Sequence, residues 1–136
     1  MTHNKILIIE DKLFNLELAT DLLEAGGFAV SSAQTAEDGL RVARNILPDL
    51  VLMDLGLPGM DGLCATKELK ANTLTRHLRV VGLTAHAMKG DTEIAFKAGC
   101  DGYLTKPIDT RLFVETITRF IASANPPHDK KPVSQK

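Results

Sequence analysis

Five short stretches of this chain are apolar almost without a break or rich in strand-forming residues: Lys5 to Glu10 (KILIIE), Phe28 to Ser32 (FAVSS), Asp49 to Asp54 (DLVLMD), Leu78 to Leu83 (LRVVGL) and Gly102 to Thr105 (GYLT). Three of them are nearly continuous in Val, Ile and Leu, the pattern of strands covered by helices on both faces. Between these runs the apolar period lengthens to that of a helix. Phe14, Leu18 and Leu22 recur at intervals of four, with Ala19 and Leu23 beside them and Gly26-Gly27 as a stop, which predicts a first helix packed along that row. A second helix is predicted from about Ala36, with Thr35 and Asp38 placed as a capping box and Pro48 closing the segment. Shorter helices are predicted after Gly62 and after Gly90, the latter ending at Gly99. The last starts near Asp109, buries Phe113, Ile117, Phe120 and Ile121, and fades at Asn125.

Five strand–helix units in succession predict a parallel sheet with right-handed crossovers, hence a doubly wound α/β domain over residues 1–125. Residues 126–136 (PPHDKKPVSQK) are Pro-rich and polar and are predicted to be a disordered tail, a basic docking arm being the alternative.

Composition narrows the function. A chain of 136 residues has room for one domain of ordinary size, and 44% hydrophobic with 24% charged residues is the make-up of a globular protein. A net charge of −1 gives no electrostatic case for nucleic acid. No apolar run is long enough for a bilayer and the N-terminus lacks a signal-peptide core, so a cytoplasmic protein without membrane contact is expected. Cys64 and Cys100 form no CxxC pair and the four histidines have no ligand spacing, which predicts reduced structural thiols and no zinc site. Neither GxxxxGK[ST] nor GxGxxG occurs.

Ligands of open parallel sheets sit outside the carboxyl ends of the strands, where the strand order reverses. The predicted strands end in Glu10-Asp11, Asp54, Thr84 and Lys106-Pro107, so three acids, a hydroxyl and an ammonium converge on one edge. Three neighbouring carboxylates repel unless a cation intervenes. An all-oxygen set without His or Cys suits Mg²⁺ or Mn²⁺. A metal, a fixed ammonium and a hydroxyl around one carboxylate are the parts that neutralise a phosphoryl group in transfer, with Asp54 as an acceptor forming an acyl phosphate.

IIED at 8–11, LVLMDLGLPGMDG at 50–62, GLTAHAMKGD around Thr84 and GYLTKPI around Lys106, taken together, resemble the receiver domain of two-component response regulators over roughly residues 4–124. That resemblance implies a flavodoxin-like (βα)5 fold with strand order 2-1-3-4-5. It implies Asp54 as the phosphorylated residue, Asp11 as direct metal ligand, Glu10 as a second acid holding the ion, and the Gly56 carbonyl as a further ligand. Lys106 resembles the lysine that pairs with the phosphoryl group and precedes a cis proline. Thr84 resembles the switch hydroxyl and Tyr103 the switch aromatic. The implied partners are a sensor histidine kinase or histidine phosphotransfer protein as donor, and a downstream protein on the face of the fourth helix, fifth strand and fifth helix, about residues 91–124. Met88 and Phe96 are read first as packing against the sheet and second as contacts on that face. The activity implied is self-catalysed phosphoacceptance and autodephosphorylation in a monomer or weak dimer, not turnover of a substrate. Gly56 and His86 differ from the chemotaxis member of the family at positions that affect how water reaches the acyl phosphate. Glu10, Asp11 and Asn15 resemble the EDxxxN type found in hybrid kinases and small cell-cycle regulators.

Two rivals fit less well. An aspartate-nucleophile phosphatase of the haloacid dehalogenase class carries its second acid two residues after the first, where this chain has Gly56. A flavodoxin-like cofactor binder needs a first loop that cradles phosphate, and Glu10-Asp11 would repel it. A receiver excised from a longer hybrid kinase shares the chemistry, and its competitor, a free protein, is favoured by the starting Met1 and short leader.

Overall fold

The computed structural model describes residues 4–57, 61–85 and 89–122. Among the described residues ten elements alternate: β1 (Lys5–Ile9), α1 (Leu13–Ala25), β2 (Ala29–Ala33), α2 (Ala36–Ile46), β3 (Leu50–Asp54), α3 (Gly62–Ala71), β4 (Arg79–Thr84), α4 (Lys89–Ala98), β5 (Gly102–Thr105) and α5 (Phe113–Ala122). The strands form one parallel sheet in the order β2-β1-β3-β4-β5. The doubly wound α/β expectation and its strand order are therefore met.

Alternation along each strand divides the core in two. Leu7, Ile9, Val51 and Met53 pack with Ala36, Leu40 and Ala43 of α2, Ala65 and Leu69 of α3, and Ala95 of α4. Ile6, Ile8, Leu50 and Leu52 face the other way, onto Leu16, Ala19 and Leu23 of α1 and Phe113, Ile117 and Phe120 of α5. Both faces of the central strands are thus buried, which is why β1 and β3 read as unbroken apolar runs.

Local chemistry sets the helix ends. The Thr35 hydroxyl accepts the Asp38 amide at 3.1 Å and caps α2. Only half of the predicted capping box forms, because the Asp38 carboxylate turns to Arg41 at 3.3 Å. Asp61 caps α3 through the Cys64 amide at 2.8 Å. At the end of α2, Leu47 takes φ 47°, ψ 67°, a left-handed conformation that suits Gly or Asn and strains a residue with a Cβ. Leu47 is exposed on the surface at 44%. Leu47→Gly is expected to stabilise the fold by about 0.5–1 kcal/mol, read as a higher denaturant midpoint at unchanged slope.

Two expectations are corrected. Phe14, placed on the packed row of α1, is 75% exposed. The buried face is centred one step round the helix, on Leu16, Ala19 and Leu23, and Leu18 and Leu22 lie along its border. The last helix begins at Phe113 and not near Asp109: the Asp109 carboxylate accepts the Arg111 amide at 3.0 Å and holds residues 109–112 as turns. Cys64 is exposed, whereas Cys100 is buried, and both thiols are free. Burial pushes the Cys100 thiol up to about 11. The predicted tail at 126–136, the end of the last helix at Asn125, and His86 and Met88 lie outside the described residues.

One polar feature inside the fold had no sequence signature. Asp101, buried at the start of β5, accepts the Val80 amide at 2.8 Å and the Lys70 ammonium at 3.0 Å. Lys70 also donates to the Leu78 carbonyl at 2.8 Å, so α3, β4 and β5 are tied behind the sheet.

Candidate acidic site at the strand ends

The register of the sheet assembles the site. Ile9 pairs with Met53, so the next residues along, Glu10 and Asp54, emerge side by side where β1 and β3 end. Thr84 pairs with Thr105 at the ends of β4 and β5, and Lys106 follows directly. This edge between β1 and β3 is where the winding of the sheet reverses.

Lys106 Nζ lies 3.1 Å from Asp54 Oδ1 and 3.1 Å from Glu10 Oε1. Asp54 is 3% exposed and Glu10 1%. The Gly56 amide donates to Asp54 Oδ1 at 2.9 Å, fixing the acid just past its own strand. The Lys12 amide donates to Glu10 Oε2 at 3.0 Å. Lys106 is held from its backbone as well, its amide donating to the Thr84 carbonyl at 2.8 Å, and the Lys106–Pro107 bond is cis. α3 presses on the same loop: a Cβ at Gly62 would fall on the Asp54 carbonyl oxygen and 2.8 Å from Leu55 Cα.

The electrostatics are those of crowded acids with too little positive charge. Burial raises the Glu10 carboxyl, the Lys12 amide opposes this, and the Asp54 charge adds to it. Burial alone would lower the Lys106 ammonium, but Asp54 and Glu10 outweigh it and hold it above its usual range. Glu10, Asp11 and Asp54 can each turn a carboxylate oxygen to within 4.8 Å of the others. Asp11 Oδ1 is buried without a hydrogen bond, and Glu10 Oε1 has only its ion-pair contact with Lys106. An orphaned buried acceptor on Asp11, beside two acids that share one ammonium, fits a hard divalent cation.

A cavity of about 400 Å³ opens over Asp54, lined by Lys12, Asn15, Leu55, Gly56, Leu63, Thr84, Ala85, Ile94 and Lys106. Glu10, Asp11, Asp54, Gly56, Thr84 and Lys106 are thus brought together. Tyr103 is set apart, buried on β5 with its ring edge-on to Phe96 at 6.1 Å and 83°. Sequence reasoning missed the wall of the cavity. Leu63 and Ile94 come from separate helices whose apolar positions look like core, yet Ile94 is 49% exposed.

A family model described as the response regulator receiver domain matches residues 6–118. The chain belongs to the response regulator receiver family. The receiver is 41% identical over 119 residues to the polar-differentiation response regulator DivK of Brucella ovis, a match covering 88% of this chain and 97% of that protein. Among solved structures it is similar to a putative response regulator from Chloroflexus aurantiacus, at TM-score 0.85 and 29% identity over 90% of this chain and all of that one. It is also similar to the receiver domain of a sensor histidine kinase from Pseudomonas aeruginosa, at TM-score 0.82 and 32% identity over 90% of this chain and 100% of that one. That kinase receiver was crystallised with a magnesium ion coordinated in its active-site cleft. Among its described residues, this receiver has no helix long and apolar enough to cross a membrane.

Proposed function

We propose that this receiver takes a phosphoryl group onto Asp54 from a phosphohistidine, borne by a sensor histidine kinase or a histidine phosphotransfer protein, and signals by a change of surface. The observation that carries the reading is the placing of one nearly buried carboxylate against the Lys106 ammonium and the Gly56 amide, with two further acids beside it. The Asp54 carboxylate attacks phosphorus, the bond to the donor's imidazole nitrogen breaks, and the nitrogen leaves with the bonding pair. Lys106 stands where it can pair with a phosphoryl oxygen, and Thr84 supplies a hydroxyl on the same cavity wall. Glu10, Asp11, Asp54 and the Gly56 carbonyl would hold Mg²⁺ or Mn²⁺. When bound, that ion supplies positive charge against the phosphoryl oxygens.

Leu13 and Phe14, 56% and 75% exposed on the first turn of α1, lie between the cavity-lining Lys12 and Asn15 and offer the donor an apolar footing. Once phosphorylated, Asp54 carries added charge that Thr84 and Lys106 can follow, with Tyr103 as the aromatic reporting the change to the face of α4, β5 and α5. The reading places residues 1–125 as the receiver and 126–136 as a tail, in a cytoplasmic monomer or weak dimer whose only chemistry is its own phosphorylation and dephosphorylation.

Incubation with acetyl phosphate and Mg²⁺ is expected to add one phosphoryl group per chain by intact mass, and none when EDTA is present. Labelling of Asp54→Asn to the wild-type extent would contradict the assignment.

A further inference from the structure

We infer that Asn15 orders the water that hydrolyses the acyl phosphate, and so sets how long the phosphorylated state lasts. The inference rests on Asp54 being the acceptor. In-line hydrolysis needs a water opposite the bond from Asp54 to phosphorus, on the open side of the cavity. The described residues lining that cavity limit what can hold it. Leu55, Leu63, Ala85 and Ile94 have no polar side-chain atoms, and Gly56 has no side chain at all. Asp54 is itself the phosphorylated group, and the Thr84 hydroxyl is the one proposed above to follow the phosphoryl oxygens. Lys106 is engaged with Asp54 and Glu10, and Lys12 carries an ammonium that can only donate. A water positioned for attack aims a lone pair at phosphorus and turns its O–H groups away from it, so it needs an acceptor for one of those O–H groups.

Asn15 meets that need. Its carboxamide both donates and accepts, it lies on α1 one turn beyond Asp11, and it enters no hydrogen bond among the described residues. Being neutral, it neither competes for the cation nor repels the phosphoryl dianion. In the step itself the water oxygen forms a bond to phosphorus and the bond from phosphorus to the Asp54 oxygen breaks. Asp54 departs as carboxylate and both protons of the water end on inorganic phosphate as dihydrogen phosphate, which can then release one to solvent, so one water is consumed for each phosphate released.

The test compares full-length wild type with Asn15→Leu, close in volume and helix-compatible, and with Asn15→Gln, which keeps the carboxamide. Each is phosphorylated with acetyl phosphate and Mg²⁺, freed of donor with Mg²⁺ retained, and followed by intact mass as the adduct decays. Asn15→Leu is expected to lose its phosphoryl group about tenfold more slowly, the worth of one well-placed hydrogen bond. Asn15→Gln should recover much of that loss. Decay of Asn15→Leu at the wild-type rate would overturn the inference. So would an equal slowing of formation and decay, since that marks damage to the whole site and not to the water. Should the wild type take no phosphoryl group, or carry it elsewhere than on Asp54, the reading beneath falls as well, which separates the two failures.

Discussion

Lys106→Met is expected to slow formation of the phosphoryl adduct by about 10²-fold or more while the protein still folds. The ammonium at 3.1 Å from Asp54 Oδ1 is the one fixed positive charge that touches the acceptor among the described residues. Removing a preorganised charge partner from a site of this kind costs about 10²–10³ in rate, because the Gly56 amide and the Thr84 hydroxyl offer dipoles but no second fixed positive charge among the described residues is aimed at the acceptor. Stability offers a second readout with its own sign. Without Lys106, Glu10 and Asp54 lose their shared counter-ion, and the burial that already raises the Glu10 carboxyl acts unopposed by it. A divalent cation then has more repulsion to relieve. The thermal midpoint of Lys106→Met should therefore rise more on adding Mg²⁺ than the wild type's does. A variant that accepts phosphate at the wild-type rate would remove Lys106 from the mechanism.

Gly62→Val should be the most damaging single change near the site for the fold itself. The position is the first residue of α3 after its Asp61 cap, where a β-branched residue would ordinarily be tolerated. Here a Cβ would collide with backbone, the Asp54 carbonyl and Leu55 Cα, and backbone at the end of a buried central strand cannot move aside as a flexible side chain can. A loss of about 3 kcal/mol is expected, seen as a thermal midpoint lower by roughly 10 °C for a domain of this size. Slower phosphorylation should accompany it, since the strained segment is the one that carries the acceptor and the Gly56 amide. Gly56→Ala is the contrast. Its Cβ would lie 3.6 Å from Asp54 Oδ1, an ordinary contact, so stability should hardly change. Equal stability of Gly62→Val and wild type would show that α3 is not seated where the packing places it.

What could be read from the sequence, and what could not, divides by the range of the interactions. β1 and β3 announce themselves because helices cover both faces and no polar residue is tolerated until the strand ends. β2 is an edge strand with a mixed burial pattern, and its observed span, Ala29–Ala33, lies one residue later than expected. The site was legible for a topological reason. Once five parallel strands are granted, every strand ends on the same edge, so Glu10-Asp11, Asp54, Thr84 and Lys106 need no further information to meet. Features made by residues far apart in the chain gave no such signal. Lys70 and Asp101 are separated by 31 residues and look individually like surface charges. Phe14 fits the helical period and was misplaced because periodicity does not say how far a buried face extends beyond the sheet edge. The tight seat of Gly62 is likewise invisible until α3 is docked on β3.

The most direct test of the central claim locates the phosphoryl group by its chemistry. Wild-type protein phosphorylated with acetyl phosphate and Mg²⁺ is treated with borohydride, which reduces an acyl phosphate to an alcohol, and is then mapped by peptide mass. The account predicts reduction at Asp54 alone, with Glu10 and Asp11 untouched. Reduction at another carboxylate, or an adduct on Asp54 that borohydride does not reduce, would contradict it.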